Sequence, residues 1–242
     1  MIEKFSIRFV TICLSVLLAG LLINACAGNA LAPTGAVAEP TSPSSPEAAA
    51  APAQNENAAA AGNAKMFQIV QDGTEARFYI DEVLMGKDKT VVGVTSQVEG
   101  ELTVDPANPS SAHISAIRID ARDLTTDSGQ RNGAIRRFVL QSNQDQYQYI
   151  TFEPTTIEGM PAAVNVGDTF AFQVTGNLII RDVSKAETFE VTVTVNSETE
   201  LVGLGKTSIQ RADYNLTIPS VPSVANVAEE VPLEIEFTAR AD

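Results

Sequence analysis

The sequence predicts an all-β fold with one short helix, in which about eight antiparallel strands form a barrel or a sandwich. After Met66, apolar and polar residues alternate through most of the chain, and this period of two is typical of strands with one wet face. Turn sequences such as "QDGT" and "RDVSKA" separate the alternating stretches at hairpin-like spacing. Only the stretch 128–140 replaces the alternation with a helical pattern.

Residues 1–25 are predicted to be a signal peptide of the lipoprotein type. Lys4 and Arg8 precede the apolar run "FVTICLSVLLAGLLI", which is short for a membrane span and carries the flanks of a signal. The small residues that end in Ala25-Cys26 resemble a bacterial lipobox, which implies lipid modification of Cys26. The alternative is cleavage after Ala32, at an A-x-A site, which would release a soluble secreted protein.

Residues 26–64 are predicted to be a disordered tether ahead of a folded domain at 65–242. The segment is rich in Ala, Pro and Ser and has almost no large apolar residue, so it cannot bury enough surface to offset the entropy of ordering. Cys13 belongs to the signal, so Cys26 is the only thiol of the mature chain. No intramolecular disulfide is possible, and the domain depends on its own apolar core.

The clearest strands lie in the second half of the domain. "DTFAFQVTGNLII", "TFEVTVTV" and "PLEIEFTA" each place their large apolar residues on one face. Those faces carry Phe170, Phe172, Val174, Leu178 and Ile180 in the first stretch, Phe189, Val191, Val193 and Val195 in the second, and Leu233, Ile235 and Phe237 in the third. Noisier alternation predicts five earlier strands, at 67–70, 76–85, 91–104, 112–120 and 147–158.

The stretch 128–140 predicts a short amphipathic helix across the open end of a barrel. Ser128 is a suitable N-cap, and the apolar residues that follow it have helical spacing. The apolar side carries Ile135, Phe138 and Val139, and the basic side carries Arg131, Arg136 and Arg137. Because Gly133 weakens the isolated helix, the segment has to pack on the rest of the domain.

Composition excludes several kinds of function. The chain has 16 Lys and Arg against 30 Asp and Glu, a net charge of −14, which repels nucleic-acid phosphates. His113 is the only histidine and lies in a strand pattern, with no nucleophile motif near it. We therefore expect no enzyme activity, no metal site and no cofactor.

Four stretches resemble the YceI-like family of exported bacterial proteins, and together they cover almost all of the folded part. They are "VEGELTVDPANPSSAHISAIRIDARDLTTDSGQRNGAIR", "YQYITFEPTTIEG", "VTGNLIIRDVSKAETFEVTV" and "IQRADYNLTIPSVPSVANVAEEVPLEIEFTA". The chain departs from the family in lacking an early histidine and in reading "LIIRD" at the hairpin. The resemblance implies an antiparallel, lipocalin-like β-barrel that binds a polyisoprenoid lipid, and dimers occur in the family.

With that resemblance, the sequence favours an exported, lipid-anchored protein that faces the periplasm or the cell exterior. We expect a barrel interior that holds an isoprenoid-type lipid, such as a polyprenyl phosphate or a quinone-like molecule. The expected tail channel consists of Phe138, Phe170, Phe172, Val174, Leu178, Phe189 and Val191, and the expected head-group ligands are Arg131, Arg136 and Arg137. The alternative is a structural or protein-interaction lipoprotein whose apolar residues fill a solid core.

Overall fold

The computed structural model describes residues 63–241, and the elements below belong to that part of the chain. The predicted signal peptide, the lipobox Cys26 and almost all of the predicted tether lie outside the described residues. The strands are β1 (Lys65–Leu84), β2 (Lys87–Thr95), β3 (Val98–Glu99), β4 (Glu101–Val104), β5 (His113–Ile114), β6 (Ile117–Asp120), β7 (Tyr149–Glu158), β8 (Thr169–Ile180), β9 (Val183–Ser197), β10 (Glu200–Gln210), β11 (Val224–Ala225) and β12 (Glu230–Arg240). Helix α1 (Gly129–Ala134) continues directly into a turn of π-helix (Ile135–Val139).

The strands form one antiparallel barrel with eight strand positions around its circumference, which we call staves. Strands β2 and β4 pair with successive parts of β1, while β3 and β4 pair with β6 and β5. The run β2–β3–β4 is therefore one interrupted strand, and β5–β6 is another. The remaining staves follow in the order β7, β8, β9, β10 and β12, and β12 pairs again with β1. The predicted barrel of about eight strands is confirmed, and β11 adds only two residues beside β1.

The predicted alternation decides which side chains face the interior. In β8 and β9 the apolar face is buried and the polar face is exposed. Val174 is 3% exposed and Phe189 is 5% exposed, while their outward neighbours Gln173 and Glu190 lie in water. The two inward faces meet the inward faces of β1, β6, β7, β10 and β12 in one apolar core. The hydrophobic effect therefore fixes the register, because a shift by one residue would bury the polar face.

A short helical segment, residues 128–140, crosses one end of the barrel, as the sequence predicts. We call it the bridging segment. The Ser128 hydroxyl oxygen caps its start by accepting from the Arg131 backbone N–H at 3.4 Å. The Arg131 guanidinium pairs with Glu82 of β1, and the Val139 carbonyl at the other end accepts from Arg181, between β8 and β9. Those strands lie on opposite sides of the barrel, so the segment spans its opening. We call this the bridged end.

The π-helical turn changes which residues of the bridging segment face inward. The Leu140 backbone N–H donates to the Ile135 carbonyl five residues earlier, at 2.8 Å. Such a turn holds more residues per revolution than an α-helix. The residue three positions after Ile135 therefore rotates off the inward face, while the residue four positions after it stays on that face. Ile135 and Val139 accordingly pack against the core, whereas Phe138 is 53% exposed. The expected inward position of Phe138 is not what the structure shows.

Candidate functional site

A small, wholly apolar cavity of about 70 Å³ lies inside the barrel. All eight staves contribute to its wall, and no charged or hydrogen-bonding side chain lines it. The lining residues are Ile69, Leu102, Ile114, Ile117, Phe152, Pro154, Phe172, Val174, Phe189, Val191, Gly205, Ile235 and Phe237. Water in an apolar void of this kind would find no hydrogen-bond partners. The site is therefore suited to hydrocarbon and to no polar ligand.

The structure brings together four of the seven residues that the sequence predicted for an apolar channel. They are Phe172, Val174, Phe189 and Val191. Leu178 is buried at 2% exposure in β8 but lies closer to the bridged end, outside the cavity wall. Phe170 is half-buried and stacks on Phe172, with ring centroids 5.8 Å apart. Phe138 lies at the surface and contributes nothing to the cavity.

The other nine of the thirteen lining residues come from strands that the tail prediction left out. Ile235 and Phe237 had the same period-two signal as the residues that were chosen. Phe152 of β7 packs edge-to-face on Phe189, with ring centroids 4.8 Å apart. Phe152 and Ile117 lie in stretches where turns and polar residues blur the alternation. Period-two patterning could have found Ile235 and Phe237, but not the contribution of the irregular strands.

Gly205 of β10 lines the empty space and is the only glycine in the cavity wall. A Cβ at this inward position would lie 3.7 Å from Val191 and 3.8 Å from Phe189, which is ordinary van der Waals contact. Gly203, two residues earlier on the same face, is different because a Cβ there would lie only 2.4 Å from the Phe237 ring. The Phe237 ring fills the space above Gly203, while the space above Gly205 has room for a Cβ.

Arg131, the first predicted head-group ligand, is held by two carboxylates. Its guanidinium lies 2.8 Å from Glu82, which is 7% exposed, and also pairs with Asp127. Asp127 pairs with Lys89 as well, and a hydrogen bond from Lys89 lowers the pKa of the Asp127 carboxyl, with a smaller contribution from the Arg131 charge. These ion pairs fix the start of the bridging segment to the β1–β2 hairpin.

Arg136 and Arg137 form no ion pair among the described residues. Arg136 donates to the carbonyls of Arg122 and Leu124, at 3.3 and 3.4 Å. Arg137 is exposed, and its guanidinium carbon lies 5.8 Å from the centroid of the Phe138 ring. The predicted basic side of the helix is thus divided, because Arg131 is neutralised while Arg136 and Arg137 remain without a carboxylate.

The loop between β10 and β12 is held by a partly buried arginine that sequence reasoning did not assign. Arg211 donates to the carbonyls of Ala228, Leu216 and Val227 and pairs with Glu229 at 2.6 Å. This network organises the loop around an open surface crevice of about 540 Å³.

Tyr214 completes that anchor from the start of the same loop. It is fully buried, and its hydroxyl donates to Glu187 at 2.8 Å. Burial, together with the Glu187 carboxylate, raises the pKa of the Tyr214 phenol well above its usual value. The stretch "QRADYNL" therefore fixes the loop to β9 through a buried side chain and a hydrogen bond.

His113 is exposed at the start of β5. Within residues 63–241 no group of three His, Cys, Asp or Glu side chains is placed to hold a metal ion. In the same range no helix has the length and apolarity needed to cross a bilayer.

Comparison with protein families gives one match that spans most of the chain. The family model of the YceI-like domain matches residues 67–239. That range begins in β1 and ends in β12, so it includes the whole barrel and the bridging segment. A search of curated proteins found no matching sequence.

Solved structures share the fold at low sequence identity. A polyisoprenoid binding domain from Saccharophagus degradans, described as implicated in plant cell wall breakdown, superposes with a TM-score of 0.59 at 17% identity. The match covers 73% of this chain and 98% of that domain. BcnA of Burkholderia cenocepacia superposes with a TM-score of 0.55 at 19% identity, over 70% of this chain and 98% of that one.

Proposed function

Because the chain belongs to the family of YceI-like domains, we propose that it binds an isoprenoid-type lipid inside the barrel and carries out no catalysis. The observation that carries the proposal is the apolar cavity, whose wall offers hydrocarbon contacts from all eight staves and no polar group. The structural likeness to the polyisoprenoid binding domain of Saccharophagus degradans supports the choice of lipid class. Burial of a prenyl chain in such a site is favoured by the hydrophobic effect.

The bound state needs more room than the cavity now offers. About 70 Å³ accommodates roughly two water-sized groups, at ~30 Å³ each. A prenyl tail therefore has to displace core side chains. In our proposal the tail lies along Phe172, Val174, Phe189 and Val191 and extends towards Leu178 at the bridged end.

The polar head belongs at the bridged end, where charged side chains meet the apolar interior. Arg131 holds the bridging segment in place through Glu82 and Asp127, so we assign it a structural role and not the head-group role that the sequence suggested. Arg136 and Arg137 remain candidates because neither has a carboxylate partner among residues 63–241. An arginine without a carboxylate is a suitable donor to a phosphate.

The proposal also includes export and lipid anchoring at Cys26, which rest on the sequence pattern alone. A labelled fatty acid fed to an expressing bacterium should be incorporated into the full chain, and the replacement Cys26→Ser should abolish the label. Release of an unlabelled protein that begins after Ala32 would instead support ordinary secretion.

A second candidate function is favoured by the smallness of the cavity. In that case the barrel is a solid core, and the protein acts as a structural or interaction lipoprotein through exposed apolar residues. Met85, Phe138 and Val221 are 82%, 53% and 46% exposed and lie on loops or on the bridging segment. Self-association through such residues would give the homodimer that the family resemblance allows.

Binding measurements with lipids of different tail chemistry separate the two functions. The purified full chain is delipidated and offered a polyprenol, a polyprenyl phosphate, a quinone and a straight-chain fatty acid. We expect about one prenyl lipid to bind per chain and the fatty acid to compete weakly. Failure to take up any of the prenyl compounds would favour the solid-core protein.

A further inference from the structure

Arg181 is a partly buried arginine in the two-residue turn between β8 and β9, at the bridged end of the barrel. Its backbone φ is +56°, a left-handed conformation that is uncommon for a residue other than glycine. One terminal nitrogen, Nη1, donates to the Val139 carbonyl at 3.0 Å. The Nε atom is buried and has no hydrogen-bond partner, and it is the only such side-chain atom among residues 63–241. A buried donor without a partner is rare in folded proteins.

The charge of Arg181 also lacks a partner. Within the described part of the chain it forms no ion pair, although Asp182 is its neighbour in sequence. The Asp182 carboxylate instead accepts from the Tyr147 hydroxyl at 2.6 Å. Arg122, Arg131 and Arg211, which are also partly buried in this region, each pair with a carboxylate. Arg136 has no carboxylate partner among the described residues either, but it is not among the arginines with a buried unpaired donor. Arg181 therefore combines a cation without a counter-charge and a donor without an acceptor.

The position of Arg181 joins the charged end of the barrel to its apolar interior. Ile180 precedes it and is 4% exposed, and Leu178 is 2% exposed on the same inward face of β8. Val174, in the cavity wall, lies seven residues from Arg181, or about 23 Å along an extended strand. An amphiphile with its tail in the cavity would reach Arg181 with its head.

We propose that Arg181 binds the anionic head of the lipid, and that the head is a phosphate or diphosphate. The inference rests on the proposed lipid-binding function and makes it more specific. A guanidinium presents five donors in a planar fork that matches phosphate oxygens. An anionic head supplies both a hydrogen-bond acceptor for the buried Nε and a counter-charge for the guanidinium. A quinone or an alcohol supplies at most the acceptor. The site therefore selects a prenyl phosphate over a neutral prenyl lipid.

The test compares the variants Arg181→Gln and Lys185→Gln in the full chain. Lys185 is exposed on β9, four residues after Arg181, and its replacement makes the same change in net charge. Each protein is titrated with a polyprenyl phosphate, with the parent polyprenol, and with inorganic phosphate. We expect Arg181→Gln to weaken binding of the polyprenyl phosphate by about 10- to 100-fold, the loss of a charge-assisted hydrogen bond. Polyprenol binding should stay within about twofold, and Lys185→Gln should change neither affinity.

Each other outcome has a definite meaning. Equal loss of phosphate and alcohol binding in Arg181→Gln would show that Arg181 only positions the bridging segment, and would overturn the inference. Equal affinity of the unaltered protein for phosphate and alcohol would also overturn it while leaving the proposed function intact. Uptake of neither lipid would overturn the proposed function itself. Binding of inorganic phosphate alone would show a free-anion site, which contradicts a lipid head group.

The variant Arg181→Lys keeps the test decisive if Arg181→Gln does not fold. It preserves the charge and the reach to the Val139 carbonyl but lacks the planar fork. We expect it to weaken binding of the polyprenyl phosphate about tenfold and to leave polyprenol binding unchanged. Unchanged phosphate binding in this variant would remove the proposed role of the guanidinium.

Discussion

Filling the space above Gly205 should stabilise the empty protein and block lipid binding at the same time. Gly205 faces the cavity from β10, and a Cβ there meets Val191 and Phe189 at ordinary contact distances. The replacement Gly205→Val puts three carbon atoms into a void of about 70 Å³. If the void is the place where a prenyl tail begins to enter, the valine competes with the tail for the same contacts.

The size of the effect follows from the cavity volume. At about 24 cal/mol per Å³, filling all of 70 Å³ is worth up to about 1.7 kcal/mol in the free energy of unfolding. Removing a glycine from a strand interior adds roughly 0.5–1 kcal/mol. An increase of about 1–2 kcal/mol would raise Tm by about 2–8 °C for a domain of this size. The affinity for a prenyl lipid should fall at least tenfold.

Gly203→Ala is the matched control because it lies on the same strand and the same face. Its new Cβ would lie 2.4 Å from the Phe237 ring, so we expect a loss of about 1–3 kcal/mol from overpacking. Thermal unfolding and urea titration of the unaltered protein, Gly203→Ala, Gly205→Ala and Gly205→Val measure the stabilities, and lipid titration measures binding. A Gly205→Val protein that is less stable than the unaltered one, or that binds lipid normally, would refute the reasoning.

Two further predictions concern the polar interactions that hold the barrel closed. Arg131→Gln leaves the buried Glu82 without its cation, and we expect the free energy of unfolding to fall by about 3–5 kcal/mol. The double variant Glu82→Gln/Arg131→Gln should recover part of that loss. Equal losses for the single and the double variant in urea titrations would disprove a specific pair. The raised pKa of Tyr214 keeps its phenol neutral in the folded state, while the unfolded phenol ionises near pH ~10. The free energy of unfolding should therefore decrease above pH ~10, by up to about 1.4 kcal/mol per pH unit. Tyr214→Phe should show a shallower decrease in urea titrations between pH 9 and 11, and an identical slope would contradict the assignment.

The parts of the fold that the sequence predicted are those where one physical rule acts alone. In β8, β9 and β12 the alternation is unbroken, so Phe172, Val191 and Phe237 face inward as expected. The helix start at Ser128 was also predictable, because capping is a local interaction. Strands β2 to β6 were harder, since breaks divide two staves into five short pieces.

The site was predicted less completely because it depends on what surrounds each side chain. Phe138 follows helical spacing in the sequence, yet the π-helical turn rotates it into solvent. Arg131 has the residue type of an anion ligand, but Glu82, 49 residues away, neutralises it. Arg181 has the same type and no carboxylate partner among residues 63–241, and only the structure distinguishes the two. Gly205 contributes by lacking a side chain, which no pattern of side chains reveals.

The most direct test of lipid binding is native mass spectrometry of the full chain, followed by organic extraction and identification of any bound lipid. The account predicts one isoprenoid molecule per chain, either carried through purification or taken up when polyprenyl phosphates and quinones are offered. A mass equal to that of the protein alone, with no uptake of any of these lipids, would contradict it.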